Sequence, residues 1–331
     1  MAKRKSKLRW LKLIPAVALI GFIGYAKWAT DPVGDGSPRT LTFAKSRGLV
    51  GVLEELQTKG VIRSAAACRV IANVRNVSKV VDAGSYKVAP SMSAAEILKA
   101  LNMPLKQLVR IPEQRWVARV AELLEQKGVV KASEYIDFAK NPKKLDLGDR
   151  FNGVKSLEGY LYPDTYNFPA NVGAELVIKR QLLNFATRTK ELNIQPKDMH
   201  RILTIASMLE LEGRTQDEKH MIAGVIQNRV RIGMRLQIDA TVNYGMQIWR
   251  PLLYADYTKV KSPYNTYLHK GLPPGPICSP TVDSIKAALK PTAHNHLYYI
   301  TMPDGVTRFT PTYEAHLKNI AERDKMKAKK K

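Results

Sequence analysis

An apolar helical run that ends in two glutamates constrains this fold more than any other part of the sequence. The run covers residues 202–212, and Gly213 follows it. At about 100° per residue, the apolar side chains gather on one face, and Glu210 and Glu212 lie on opposite sides of that face. Residues 215–218, Thr-Gln-Asp-Glu, then form a capping box that opens a second helix. The sequence therefore predicts two consecutive helices and a pair of carboxylates that point apart.

Glu210 is the member of this pair most suited to proton transfer. A glutamate at the border of a helix is usually solvated or ion-paired, and that interpretation stays open. Glu210, however, lies among apolar side chains and ahead of loops rich in Tyr, Asn, Pro and Gly, which are typical of a groove. A half-buried carboxyl has a raised pKa and can donate a proton near neutral pH. We therefore expect Glu210 to be a general acid.

The N-terminus predicts a membrane anchor. Residues 1–12 carry six Lys or Arg and no acid, and residues 13–26 carry no charge. Trp10 and Trp28 stand at the two ends and the flanking lysines can snorkel, so residues 13–29 are expected to form an uncleaved transmembrane helix. A cleaved signal peptide is the alternative. The positive-inside rule then predicts a single-pass protein of the cytoplasmic (inner) membrane, with its N-terminus in the cytoplasm and the rest outside.

The charge balance is strongly basic, with 53 Lys and Arg against 29 Asp and Glu and a net charge of +24. Such a balance usually suggests nucleic acid. Outside a membrane the available polyanions are lipid headgroups and acidic wall polymers, so nucleic acid is not expected as a partner. Cys68 and Cys278 lie far apart and match no metal-ligand spacing. We expect them to be small buried side chains, with a disulfide as the alternative, and we expect no metal or organic cofactor.

Composition and local patterns predict an α+β protein built from several segments. The segments are a basic cytoplasmic tail (1–12), the transmembrane anchor (13–29), a Gly- and Pro-rich linker (30–37), a small α+β subdomain (38–105), a helical connector (106–150), a larger mixed α+β domain (151–322) and a basic disordered tail (323–331). EELQTKGVI from residue 54 and ELLEQKGVV from residue 122 share a pattern in which a helix ends at glycine. Ser93 and Glu96 predict a capping box, and residues 296–310 predict a hairpin with a Pro-Asp-Gly turn.

Polar and aromatic residues of the larger domain are candidates for a substrate groove. Glu158 and Asp164 could supply a second carboxyl, with a simple turn as the alternative. Gln237, Asp239 and Thr241 alternate with apolar residues, which predicts a strand with one polar face. The other candidates, for which packing or structural hydrogen bonds are the alternative, are Tyr160, Tyr162, Tyr166, Glu212, Asn228, Asn265 and Tyr267.

Four stretches resemble the endolytic murein transglycosylases of the YceG-like family. They are LEGYLYPDTY, IASMLELEG, IAGVIQNRVRIGMRLQIDATVNYG and SPYNTYLHKGLPPGPICSP, which occur in this order between residues 157 and 280. The AGSYKV stretch in the small subdomain is similar, more loosely, to a LysM-like unit. The resemblance implies a membrane-anchored enzyme that cuts peptidoglycan strands internally, at the β-1,4 bond between N-acetylmuramic acid and N-acetylglucosamine, and leaves 1,6-anhydromuramyl ends.

The resemblance also implies roles for the two glutamates. Glu210 stands at the catalytic glutamate of the family's ASIVEKET-like motif, and Glu212 stands at the second, supporting one. A hydrolase generally needs two facing carboxyls. A lytic transglycosylase can use one, because the sugar's own 6-hydroxyl attacks C1 and intramolecular effective molarity replaces a bound water. Such an enzyme is expected to set glycan strand length or terminate synthesis, with penicillin-binding synthases as partners.

Three features depart from the family's motifs. Leu211 and Gly213 stand in place of a lysine and a threonine, which predicts that a positive charge beside the catalytic carboxylate is missing. Ala240 replaces the proline of a DPT sequence, and Gln114 replaces the glycine of a PEG sequence. Two other functions stay open at this point: a non-catalytic scaffold that binds peptidoglycan, and a hydrolytic muramidase that uses a second carboxylate.

Overall fold

Two units make up the described part of the chain, which covers residues 19–43, 45–148, 151 and 153–329 of a computed structural model. The first unit contains the described residues up to Leu108 together with 128–130 and 167–173. The second contains the described residues of 109–127, 131–166 and those from Ala174 onward. Most of the predicted connector, 106–150, falls in the second unit.

The first unit is a small α+β structure. Its elements are α1 (residues 19–30), β1 (Arg39–Phe43), β2 (Arg47–Gly48), α2 (Leu49–Thr58), α3 (Ala65–Val74), β3 (Val80–Val81), β4 (Gly84–Val88), α4 (Ala94–Leu101) and the start of β5 (Lys106–Arg110). Strands β1 and β4 are antiparallel, with Arg39 opposite Val88, and β2 pairs with β3 in the same way. Leu53, Tyr86 and Ile97 belong to the core between the helices and the longer sheet.

The predicted helix ends are confirmed in both copies of the repeated pattern. Gly60 follows α2 with a φ of 65°, and Gly128 follows the helix of the second copy with a φ of 63°. Such left-handed backbone is open to glycine without a steric penalty, so the helix can stop there. The Ser93–Glu96 capping box is also present at the start of α4.

The predicted membrane anchor is contradicted by the structure. In the part of the chain that the structure describes, no helix is both long and apolar enough to cross a membrane. This finding overturns the expected transmembrane helix over 13–29 and the single-pass membrane location that depended on it. Residues 1–18, which hold the predicted tail and the start of that helix, lie outside the described residues.

The second unit is mostly helical. Its further elements are α5 (Val117–Gln126), α6 (Ala132–Lys140), β6 (Thr165–Pro169), α7 (Ala174–Arg188), α8 (Pro196–Glu212), α9 (Gln216–Arg231), α10 (Asp239–Met246), α11 (Tyr254–Lys259), α12 (Val282–Leu289), β7 (Tyr298–Thr301), β8 (Thr307–Thr310) and α13 (Tyr313–Lys329). Strands β5 and β6 pair with each other, and the division between the units runs through both. Helix α8 packs against α9 and α12 and is buried all round from Ile202 to Glu210. It therefore sits deeper than a helix with a single apolar face.

Two local predictions in this unit are confirmed, and one is wrong. The Thr215–Glu218 capping box opens α9, and β7 and β8 form the expected hairpin. The strand expected around Gln237–Thr241 does not form, because α10 begins at Asp239. Exposed and buried residues alternate from 235 to 240, as the pattern predicts, but Ala240 and the three residues after it are all buried, as in a packed helix. Ala240 lies in the first turn of α10, where a proline would also be tolerated.

The C-terminal region also differs from its prediction. Residues 323–329, expected to be disordered, continue helix α13, and residues 330–331 lie outside the described residues. Arg308 and Glu322 form an ion pair of 2.6 Å that joins β8 to this helix. Both cysteines are free and buried, as expected.

Candidate active site

Glu210 lies in the last turn of α8, at the edge of a cavity of about 930 Å³ in the second unit. This active-site cavity is lined by residues 112–116, Arg119, residues 210–214, Lys219, Trp249 and Thr301. The Glu210 side chain is only 5% exposed, so it borders the cavity without projecting into bulk solvent. Gly213 ends α8 and the chain then turns into α9, which brings the end of one helix and the start of the next to the same wall.

The Glu210 carboxylate is held through one oxygen. Its Oε2 accepts hydrogen bonds from the Thr281 backbone N–H at 2.9 Å, from the Thr281 hydroxyl at 2.7 Å and from the Ser284 hydroxyl at 2.6 Å. Thr281 is the N-cap of α12, so the carboxylate also faces the positive end of that helix dipole. These donors fix the side chain and stabilise the carboxylate anion. None of the hydrogen bonds found among the described residues uses Oε1.

A positive charge does stand beside Glu210, contrary to the prediction drawn from Leu211. Lys219, on α9, is buried, and its Nζ lies 3.4 Å from Glu210 Oε2. Gly213 makes room for it: a Cβ added at Gly213 would lie 2.6 Å from Lys219 Cγ and 3.2 Å from the Lys219 backbone nitrogen. The cation that the local motif lacks is thus supplied by the next helix, and the residue that replaces the family's threonine allows its approach.

Glu212 lines the same cavity and contacts a different element. Its Oε2 accepts a hydrogen bond of 3.0 Å from the Tyr299 hydroxyl on β7, whereas Glu210 is held by α12. The two side chains therefore diverge, as the helical spacing predicts. Burial raises the pKa of Glu212 to about 7, with the Tyr299 hydrogen bond opposing the shift and the charge of Asp239 adding to it. Glu212 is consequently a group that changes charge near neutral pH at the edge of the cavity.

Gln114 supports the C-terminal end of α8 with a hydrogen bond. Its Nε2 donates a hydrogen bond of 3.0 Å to the backbone carbonyl of Glu210. Its own φ is 63°, a left-handed conformation that glycine adopts more easily. The residue that replaces the family's glycine thus keeps a glycine-like backbone and adds a hydrogen bond to Glu210.

Aromatic and basic residues complete the wall. Trp116 is 2% exposed, Trp249 is 50% exposed, and their ring centroids are 6.2 Å apart. The Arg119 guanidinium lies over the Trp116 ring at 5.7 Å from its centroid. Faces of exposed aromatic rings offer apolar surface on which sugar rings can pack. Neither tryptophan was predicted from the sequence as a site residue, although they are two of only four in the chain and an arginine is adjacent to each in sequence.

Comparison with known proteins places the chain in a family. The model of the YceG-like family matches residues 41–322, which is most of the sequence. The chain belongs to the YceG-like family. A relative from Bacillus subtilis named endolytic murein transglycosylase is 29% identical over 317 residues, covering 89% of this chain and 88% of the relative. A protein of the same name from Streptococcus pneumoniae is 26% identical over 356 residues, and the match covers 95% of this chain but only 64% of that protein.

A solved structure supports the same grouping. The crystal structure of a yceG-like protein from Listeria monocytogenes matches with a TM-score of 0.55 and 28% sequence identity, covering 85% of this chain and 98% of that one. The similarity therefore extends over both units of this YceG-like chain and is not confined to the four motifs.

The two candidates for a second carboxyl lie away from Glu210 in this YceG-like protein. Glu158 is buried and lines a separate cavity of about 410 Å³. Its oxygens accept hydrogen bonds from the Val117 N–H at 3.1 Å and the Tyr244 hydroxyl at 3.2 Å, and burial raises its pKa to about 8. Asp164 pairs with Arg188 at 2.8 Å, and hydrogen bonding, first from Asn184, lowers its pKa. Neither carboxyl lines the active-site cavity.

The predicted tyrosines are packed inside the unit. Tyr160, Tyr162 and Tyr166 are all buried. The Tyr166 hydroxyl donates to the Tyr162 carbonyl at 2.7 Å, and the Tyr162 hydroxyl accepts from the Val282 N–H at 3.3 Å. Tyr162 thus supports the first turn of α12, the helix that holds Glu210.

The remaining polar candidates fasten neighbouring segments. Asn228 donates to the carbonyls of His294 and His296, and Asn265 donates to those of Tyr257 and Val260. The other four candidates do not line the active-site cavity. Thr241 is buried and bonds to Thr266, and Gln237 is exposed. The Tyr267 hydroxyl donates to the exposed Asp239 at 2.6 Å, and the charge of Asp239 acts on Glu212.

Proposed function

We propose that this protein is an endolytic lytic transglycosylase of peptidoglycan in which Glu210 acts first as general acid and then as general base. The names of its YceG-like relatives and its membership of the family support this activity. The substrate is the glycan strand, and the bond that breaks is the β-1,4 bond between N-acetylmuramic acid and N-acetylglucosamine. The products are a shortened strand and a strand that ends in 1,6-anhydromuramic acid.

The reaction balances with one carboxyl group. The Glu210 carboxylic acid donates its proton to the glycosidic oxygen while the bond from that oxygen to C1 breaks. The carbonyl of the N-acetyl group can stabilise the cation that forms at C1. The resulting Glu210 carboxylate then takes the proton of the 6-hydroxyl as that oxygen bonds to C1, which restores the acid. No water is consumed, because the nucleophile belongs to the sugar itself.

One observation carries the proposal. Glu210 borders the active-site cavity while Thr281, Ser284 and Lys219 hold its Oε2. These groups stabilise the carboxylate that remains after proton donation, and the carboxyl group still reaches the cavity. The same arrangement argues against a hydrolase based on Glu158, because that residue lines another cavity. Glu212 also lines the active-site cavity, and because burial raises its pKa to about 7, its charge changes near neutral pH.

We further propose two finer roles. Cleavage inside new strands would set their length or end their synthesis, with penicillin-binding synthases as functional partners. The α+β subdomain at 38–105 would hold the strand as a LysM-like unit. The similarity to a LysM-like unit is supported by the antiparallel pair of β1 and β4 and by the helices that pack against this sheet.

The test uses the full chain and uncrosslinked glycan. Wild-type protein should release fragments with 1,6-anhydromuramyl ends, identified by mass spectrometry, and Glu210→Gln should release none while it keeps the wild-type circular dichroism spectrum. Reducing ends in place of anhydro ends would identify a hydrolase. Glycan binding without any new ends would identify a scaffold. Either result, or full activity in Glu210→Gln, would refute the proposed mechanism.

A further inference from the structure

A second cavity, of about 310 Å³, adjoins the active-site cavity. Arg115 and Arg119 line both cavities, whereas Arg110 lines only the smaller one. We call the smaller space the arginine cavity. Because the two spaces share residues on their common wall, a substrate in the active-site cavity places its neighbouring substituents next to these guanidinium groups.

The arginine cavity carries more positive than negative charge, because three arginines and one carboxylate, Glu122, line it. Arg115 is exposed and has no acidic partner within ion-pair distance among the described residues. Arg110 and Arg119 pair only with acids three positions further along the chain, Glu113 and Glu122, each at 3.4 Å. Exposed pairs of this kind are worth little, so a better-placed anion can compete for the same donors.

The position of Arg119 is also constrained. Its guanidinium lies over Trp116, whose ring is buried and packs edge-on against Tyr244 at 6.0 Å between centroids. Attraction to the aromatic face restricts where the guanidinium can lie. An anionic group in the arginine cavity would therefore meet a cation that the protein already holds at the wall.

We propose that the arginine cavity binds carboxylate groups carried by the glycan strand while the bond to be cut lies beside Glu210. The inference rests on the proposed function and adds a specificity element to it. Guanidinium forks match carboxylates in a bidentate geometry, so Arg115 and Arg119 would recognise these groups and fix the register of the strand. Two sources share this chemistry: the free lactyl carboxylate of unsubstituted muramic acid, and the carboxylates of peptide stems.

The test measures binding apart from cleavage. Full-length protein carrying Glu210→Gln is titrated with three soluble uncrosslinked glycans: one with peptide stems, one from which an amidase has removed the stems, and one whose carboxyls have been converted to neutral amides. Arg115→Gln and Arg119→Gln are compared with Arg201→Gln, which removes an equivalent exposed charge from α8 outside both cavities. Arg115→Lys tests whether charge alone is sufficient.

We expect Arg115→Gln and Arg119→Gln each to raise Kd for a carboxylate-bearing glycan about tenfold, with Arg201→Gln within twofold of the parent. Arg115→Lys should recover only part of the loss, and binding of the neutral glycan should be weak and insensitive to both variants. An effect confined to the stem-bearing glycan identifies stem carboxylates, and an effect on the stem-free glycan identifies the lactyl group. Unchanged Kd in Arg115→Gln, an exposed position where misfolding is not expected, overturns the inference.

The proposed function can fail independently. Cleavage is measured separately, with protein that retains Glu210, as the amount of anhydro ends formed. If carboxylate-dependent binding is found but no anhydro ends form, the arginine cavity stands and the transglycosylase mechanism falls. If anhydro ends form and the arginine variants bind glycan normally, the transglycosylase mechanism stands and the proposal for the arginine cavity fails.

Discussion

Replacement of Glu158 by glutamine should stabilise the protein at alkaline pH. Glu158 is 7% exposed and lies in a turn, and its carboxylate faces the first residue of α5. The Val117 N–H donates to both carboxylate oxygens and the Tyr244 hydroxyl donates to one. These donors favour the charged form of Glu158, but burial removes the water that would hydrate the carboxylate. The loss of hydration is the larger effect, and the pKa of Glu158 rises from 4.5 to about 8. Glutamine resembles the protonated form of the side chain and has no charge to bury.

The sign and size follow from proton linkage. Between pH 4.5 and about 8 the folded protein keeps a proton at Glu158 that the unfolded chain releases. The stabilising contribution is therefore complete below pH 4.5 and is lost as the pH rises to about 8. Each pH unit in that window costs about 1.4 kcal/mol, so the total is on the order of 5 kcal/mol. The advantage of Glu158→Gln over wild type should grow with pH by up to this amount.

Urea unfolding, followed by tryptophan fluorescence at a series of pH values, measures this difference. Glu191→Gln, which removes an exposed carboxyl from the same unit, is the control and should show no growing advantage. The reasoning fails if the free energy of unfolding of Glu158→Gln differs from wild type by a constant amount across the window. It also fails if the variant is less stable at alkaline pH.

Three further predictions concern the surroundings of Glu210. Lys219→Met should lower kcat about tenfold or more, because the anion left by proton donation loses its nearest countercharge, and Lys219→Arg should restore part of it; steady-state kinetics at saturating glycan decide. Gly213→Ala should lower the free energy of unfolding by about 1–3 kcal/mol in urea, because its Cβ would overlap Lys219 Cγ, and unchanged stability with full activity would contradict this packing. Glu212→Gln should keep its activity as the pH rises through about 7, where wild-type activity should fall because Glu212 gains a charge beside Glu210; identical pH profiles would rule this out.

Local sequence patterns predicted the features that depend on a few neighbouring residues. The capping box at Thr215–Glu218 and the glycine ends at Gly60 and Gly128 all formed, because each is decided by hydrogen bonds and φ angles within one turn. Helical spacing also placed Glu210 and Glu212 on diverging sides of α8. The strand expected at 237–241 did not form, although exposed and buried residues alternate from 235 to 240. Asp239 begins helix α10, whose residues from Ala240 to Asn243 are buried in succession, and alternation over so few residues does not separate the two structures.

The groups that complete the site come from distant parts of the chain. Thr281 and Ser284 lie 71 and 74 residues from Glu210, and no periodicity connects them to it. The charge that Leu211 does not provide comes from Lys219, across a helix boundary, and only the packing of α8 against α9 brings it close. Asn265, predicted from the sequence as a substrate-groove residue, uses its amide to fasten a neighbouring segment. Tertiary packing, which single-sequence patterns do not contain, decided these cases.

The central claim is that the nucleophile at C1 is the 6-hydroxyl of the same sugar and not water. Cleavage of uncrosslinked glycan in H₂¹⁸O tests it directly, because mass spectrometry of the new ends reads which oxygen was used. We predict 1,6-anhydromuramyl ends with no ¹⁸O, formed by wild-type protein and absent with Glu210→Gln. One ¹⁸O atom in each new end would show that water attacks, and would contradict the single-carboxyl mechanism.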